Sequence, residues 1–286
     1  MRTTAVAVVG LVVLACLISG AADEEAATIQ WASSFEQALQ SAAQADKLVM
    51  VDVYTDWCGW CKELDKRVYT DPKVAQAIAR HFVAVKVDGD KRKDVVTNYK
   101  IRGYPTILFV DGKGEEVHRV VGFEAPSVFL TELTQALGLR EMRAEVVELT
   151  KKVQAGQAEG ATFARLTYLC RRLGDLGLAR KYMEAAQKAG VQDAGFILDT
   201  VLLTKKGDDL VSALNSWLSA NPGHEREPEA RFELGMAFAR AREWQTSYDT
   251  FCAVAQAGPQ TLWGAKANFL ASLIKARFLR EEDCNT

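Results

Sequence analysis

The stretch Asp56-Trp57-Cys58-Gly59-Trp60-Cys61-Lys62 sets two thiols three positions apart between two tryptophans. A pair with this spacing can supply two ligands to zinc, close a short structural loop, or exchange a disulfide with another molecule. A structural zinc site needs four ligands. No second cysteine pair at matching spacing exists, and His81, His118 and His224 stand far apart in sequence. A loop this short restrains the unfolded chain little, because the entropic gain grows with loop length. The redox reading has its own physical basis. If Cys58 opens a helix, the unpaired backbone N–H groups and the helix dipole stabilise its thiolate. Cys61 then lies one turn further on, placed to attack a mixed disulfide formed at Cys58. The expectation is a nucleophile at Cys58, the more exposed of the two, a resolving thiol at Cys61, and neither metal nor cofactor.

Several elements must hold this pair. Leu48–Thr55 is rich in β-branched residues and reads as a buried central strand. Asp52 is its one charged residue. A carboxylate buried there would have a raised pKa and could pass a proton to or from Cys61; strand alternation could equally leave it, and Lys86, at the sheet's edge in water. Residues 33–47 have helical spacing, with Ser33 or Ser34 as the cap. A helix follows the cysteines over 59–70, and Asp71-Pro72 opens another. Residues 82–88 read as a strand and 94–100 as a helix. Residues 106–110 and 115–122 read as a hairpin, and a last helix runs from Pro126 to Leu137. The order α–β–α–β–α–β–β–α describes a mixed α/β sheet covered on both faces by helices.

With these elements in place, the run Val51-Asp52-Val53-Tyr54-Thr55-Asp56-Trp57-Cys58-Gly59-Trp60-Cys61-Lys62 is similar to the active-site segment of the thioredoxin family. Gly103-Tyr104-Pro105-Thr106 resembles that family's cis-proline loop. The stretch from Asp56 to Val74 looks most like the C-terminal periplasmic domain of the membrane thiol reductase DsbD and related secreted thioredoxin-like proteins. The resemblance covers residues 29–138 and implies a thioredoxin fold. It implies that Asp52 is the family's buried acid and Lys86 its partner lysine. Pro105 would be cis and face the cysteines, leaving the Tyr104 backbone free to bind a substrate segment as an added strand. Trp57 matches the family tryptophan before the first cysteine. Trp57, Gly59 and Trp60 would line the substrate surface. Trp60 departs from the family, since thioredoxin itself carries proline there.

Beyond residue 141 strand signals end, and a helical pattern repeats. Ala179, Ala213 and Ser247 are spaced by 34 (213 − 179 and 247 − 213), as are Met183, Trp217 and Phe251, and Thr167, Val201 and Gly235. This period resembles tetratricopeptide repeats, most clearly in the third copy. The expected repeats are 160–193, 194–227 and 228–261, with a capping helix at 262–280, in an all-α domain over 141–286. An irregular helical bundle is the plainer alternative. The repeat register places Tyr168, Leu198, Leu202, Phe232 and Met236 on a concave apolar groove able to take a peptide or partner protein. Cys170 falls on a core-facing position and reads as a buried hydrophobe. Cys252 and Cys284 receive no role.

The first 22 residues run from a basic start through an unbroken apolar stretch to small residues, the pattern of a signal peptide cut after Ala22. A second reading makes Cys16 a lipid-bearing first residue, and a third leaves the stretch as an uncleaved N-terminal anchor. On each reading the remainder works across the inner membrane, in a periplasmic or extracytoplasmic space that tolerates disulfides. A formal net charge of −2 gives no case for nucleic-acid binding. Together these features predict a thiol–disulfide oxidoreductase that reduces or exchanges disulfides in extracytoplasmic proteins and depends on a redox partner protein. The alternative is a binding scaffold whose repeats recruit a partner while the sheet domain is structural.

Overall fold

The computed structural model describes residues 28–259 and 261–279. The expected signal peptide at 1–22, Cys16 and Cys284 lie outside these residues. The first unit runs β1 Trp31–Ala32, α1 Phe35–Ala45, β2 Leu48–Tyr54, α2 Gly59–Arg67, α3 Pro72–His81, β3 Phe82–Asp88, α4 Lys93–Asn98, β4 Thr106–Val110, β5 Glu116–Val121 and α5 Pro126–Gln154. Its sheet has the order β1-β3-β2-β4-β5. Strands β1, β3 and β2 pair in parallel, and β4 and β5 pair antiparallel. Local chemistry sets the element ends. Ser34 caps α1 through the Gln37 N–H, and Asp71 caps α3 through the N–H groups of Lys73 and Val74, with Pro72 at its first position.

Strand alternation sorts the core into two halves. Leu48 and Met50 pack with Phe82, Ile107 and Phe109 beneath α2, α3 and α5. Val49, Val51 and Val53 pack with Val85, Val87 and Leu108 beneath α1 and α4. Position 52 shares the parity of 48 and 50, so Asp52 points to the α2 side, where Cys61 and Leu64 are buried.

Two details differ from the sequence reading. The two-residue strand β1 adds an edge beside β3, too short to carry a period of its own. Helix α5 does not stop at Leu137 but continues to Gln154, straight through the expected boundary. Gly138 alone does not break it, and Val146, Leu149 and Val153 give the extension an apolar stripe that the next helix covers.

That next helix, α6 Gly160–Arg172, pairs with α7 Leu176–Lys188. The pairs α8 Ala194–Thr204 with α9 Gly207–Ala220, and α10 Glu227–Arg240 with α11 Trp244–Ala257, follow, and α12 Leu262–Phe278 covers the last. Met183, Trp217 and Phe251 are buried, one in each pair. Gly235 sits where a Cβ would come within 2.8 Å of the Phe251 ring, which explains glycine there.

The proposed apolar groove is not formed. Leu198 and Phe232 are buried between helices, Leu202 and Met236 pack against the same clusters, and Tyr168 lies under the guanidinium groups of Arg165, Arg171 and Arg226. A repeat register tells which residues are equivalent, but it does not tell which side of a helix meets the next pair. The hollow beside Tyr168 is charged instead, lined by Asp199, Arg226 and Glu229. Cys170 is buried, and burial pushes its thiol pKa up to about 11.

Candidate functional site

The site forms where β2 ends. The Cys58 N–H donates to Thr55 O at 3.1 Å, which turns the chain into α2. Cys58 is the N-cap of α2, and its Sγ accepts the Cys61 N–H at 3.1 Å. A sulfur so placed receives the positive end of the helix and one of its unpaired donors, the setting that lowers a thiol pKa. The two cysteines are joined as a disulfide with Cα atoms 5.4 Å apart. Cys58 and Cys61 are 5% and 4% exposed, so the expected greater exposure of Cys58 is absent from this oxidised state. The bond holds both sulfurs side by side under the same cover; position at the cap, not access, separates them.

Around the disulfide stands a rim of aromatic rings. Trp57 and Trp60 are 69% and 61% exposed. The Trp57 indole donates to Asp90 Oδ2 at 2.9 Å and meets the Tyr104 ring edge-on at 5.8 Å. That contact ties the 103–106 loop to the cysteine turn. The Tyr104–Pro105 peptide is cis. Thr106 pairs with Val53, and the Gly122 N–H donates to Pro105 O at 2.8 Å, so this loop closes the end of the sheet beside the disulfide. The Tyr104 ring lies over Gly89, where a Cβ would come within 2.5 Å of its hydroxyl. On the other side, Trp60 leans on Phe123 at 5.6 Å, and Arg67 lies over the Phe123 ring.

Beneath the rim lies the buried acid. Asp52 is 1% exposed and pairs across the sheet with Lys86, whose Nζ is 3.2 Å from Oδ2. Asp52 Oδ1 has no hydrogen-bond partner. Burial pushes the Asp52 pKa up to about 6, against the opposing pull of the Lys86 charge. Lys86 also pairs with Asp65 and sits among the rings of Trp31, Tyr54 and Tyr69, 5.1–5.4 Å from their centres. Burial disfavours its charge, but Asp52 and Asp65 outweigh that and hold it above the usual lysine range.

The structure thus gathers Cys58, Cys61, Trp57, Gly59, Trp60, Tyr104, Pro105, Asp52 and Lys86 around one end of the sheet. The repeat residues Tyr168, Leu198, Leu202, Phe232 and Met236 belong to other surfaces and cores. Sequence reasoning missed Asp65, Asp90 and Phe123. Asp65 was within reach, four residues after Cys61 and so on the same face of α2. Asp90 lay in a mixed-charge run that reads as a solvated loop. Phe123 carried no signal, since only tertiary packing brings it to Trp60.

A mixed sheet with a cysteine pair capping the helix after its central strand defines the thioredoxin-like class of thiol–disulfide oxidoreductase domain. Residues 35–137 match the family described as the thioredoxin-like domain, and this part of the chain is such a domain. Among curated relatives, the thiol:disulfide interchange protein DsbD of Tatumella citrea is 36% identical over 131 residues, 44% of this chain and 22% of the relative. DsbD of Pseudoalteromonas atlantica is 40% identical over 103 residues, 33% of this chain and 17% of the relative. The chain therefore spans about a fifth of the length of these relatives. Among solved structures, the oxidised C-terminal domain of Neisseria meningitidis DsbD matches at 26% identity, covering 35% of this chain and 91% of that one, with a TM-score of 0.32. Among the described residues no helix is long and apolar enough to cross a membrane.

Proposed function

We propose that this chain exchanges disulfides in extracytoplasmic proteins through Cys58 and Cys61. The reduced protein carries two thiols. The Cys58 thiolate attacks one sulfur of a substrate disulfide, forming a mixed disulfide and releasing the other substrate sulfur as a thiolate. The Cys61 thiolate then attacks Cys58 Sγ, releasing the second substrate thiolate. Two electrons leave the protein, the substrate is reduced, and Cys58 and Cys61 end as a disulfide. A dithiol protein must reduce that disulfide again by the reverse chemistry.

The observation that carries this reading is the Cys58 sulfur at the cap of α2, accepting an N–H at 3.1 Å. The buried acid supports it. Asp52, ionising near pH 6, is suited to take the Cys61 proton as that thiol becomes a nucleophile. Lys86 and Asp65 lead outward from it and line a hollow of about 500 Å³ through which the proton can reach solvent. Tyr104 and Pro105 would present the backbone on which a substrate segment lies, with Trp57, Gly59 and Trp60 beside it. The apolar stretch flanked by a basic start and small residues over 1–22 is what favours an extracytoplasmic site of action, either free or lipid-anchored through Cys16.

The test is trapping. Cys61→Ala cannot resolve the mixed disulfide, so it accumulates covalent adducts that dithiothreitol releases. Adding Cys58→Ala removes them. Adducts that persist in the double variant would show that the sulfurs do not hold these roles.

A further inference from the structure

A cleft of about 910 Å³ separates the sheet domain from the far end of the repeats. Helix α5 forms one wall, with Leu130, Leu139 and Met142 as its apolar surface. Lys73 stands at the start of α3, and Arg172 and Lys266 close the opposite side from α6 and α12. Pro126, which lines the cleft, follows by three residues the Phe123 whose ring meets Trp60 at the redox site.

Its charge is unbalanced. Arg172 and Lys266 both lie over Trp263, 4.7 and 5.9 Å from the ring centre. Arg172 Nε is buried without a partner, and Glu229 Oε1 is 3.8 Å from its NH1. That Glu229 is already held by Arg171 and Arg226. Lys73 and Lys266 make no ion pair among the described residues. Glu132 and Glu233 face Lys266 from α5 and α10, but His118 engages Glu132 at 2.5 Å. Asp71, the one carboxylate lining the cleft, caps α3 through Oδ1, leaving one acid against Lys73, Arg172 and Lys266 in the lining. Burial and the Arg172 charge together outweigh Glu132 and Glu233 and hold the Lys266 pKa below the usual lysine range. In the same wall, the buried Oε1 of Gln135 has no donor, and an extended peptide offers one in its backbone N–H.

We propose that this cleft seats an extended acidic segment of the substrate polypeptide, running from the Cys58–Cys61 site across Phe123 to Lys73, Arg172 and Lys266. The repeat domain would thereby choose the substrate while the sheet domain does the chemistry. The proposal rests on the exchange reading above.

The test mixes reduced protein with three disulfides: an acidic peptide, the same peptide with Asn and Gln replacing its acids, and uncharged 2-hydroxyethyl disulfide. Formation of the Cys58–Cys61 bond is followed by rapid mixing. The wild type should favour the acidic peptide over the neutral one by about tenfold, through a lower half-saturating concentration. Lys266→Glu and Lys73→Glu, each made alone, should erase that preference and leave the maximal rate and the 2-hydroxyethyl disulfide reaction unchanged. Lys73 is exposed, so its variant guards against loss of folding. Equal rates for both peptides in the wild type, or equal losses on all three disulfides in both variants, would overturn the cleft proposal. Failure of the wild type to reduce 2-hydroxyethyl disulfide would overturn the exchange reading beneath it.

Discussion

Both halves of this molecule bury carboxylates, and they treat them in opposite ways. In the sheet domain Asp52 faces one lysine, which it shares with Asp65, and its Oδ1 has no partner. In the helical region Asp199 and Glu229 are each held by both Arg171 and Arg226 at 2.6–2.9 Å, a network joining α6, α8 and α10. Burial raises the pKa of Asp52, whereas at Glu229 the two arginines overcome burial and hold the acid below its usual range. A buried acid with too few partners remains able to titrate; one with a full set becomes a fixed strut. The first arrangement suits proton transfer, and the second suits joining successive helix pairs.

The largest effect should come from breaking the strut. Asp199→Ala leaves two buried guanidinium groups to share the single carboxylate of Glu229 and should lower unfolding free energy by about 3–5 kcal/mol. Urea denaturation followed by tryptophan fluorescence measures it. The reaction with 2-hydroxyethyl disulfide in native buffer should stay unchanged, because the network does not touch the cysteines.

A smaller effect of opposite sign should follow at Asp52. Its folded pKa of about 6 stands above the usual aspartate value of 3.8, so the folded state prefers the protonated acid. The stability this gives is complete below about pH 4 and is lost as pH rises through 6. Asp52→Asn removes the buried charge and should stabilise the protein by about 2–3 kcal/mol above pH 6, with no gain near pH 3. The same variant should slow disulfide exchange above pH 6. A variant less stable than wild type at pH 7 would show that Lys86 needs Asp52 more than Asp52 needs its proton.

The smallest effect tests the link between the two acids. Asp65→Asn removes a negative charge that opposes Asp52 ionisation and releases Lys86 to Asp52 alone. The pH midpoint of exchange should move lower, with the maximal rate little changed. A midpoint that rises or stays put would remove Asp65 from the proton route.

Much of the sheet domain was legible because its signals are local. Alternation in Leu48–Tyr54 set one carboxyl among apolar neighbours, and Asp71-Pro72 announced α3. The burial of Met183, Trp217 and Phe251 was readable because apolar residues recur at that spacing along the helical region. The end of α5 was not, since nothing near Leu137 says whether another helix waits to cover the next turn.

Taken alone, the amino-acid order determined the spacing of the two thiols, the parity that puts Asp52 on one face with Leu48 and Met50, and the 34-residue spacing of apolar positions in the helical half. These follow from rises and rotations per residue, which do not depend on distant partners. Tertiary structure decided that Asp65 shares Lys86, that Phe123 meets Trp60, that Leu198 and Phe232 are interior, and that Arg172 and Lys266 face α5. Each joins residues whose proximity depends on how whole helices pack, and helix packing angles are set by the shapes of entire faces, not by any short run of residues.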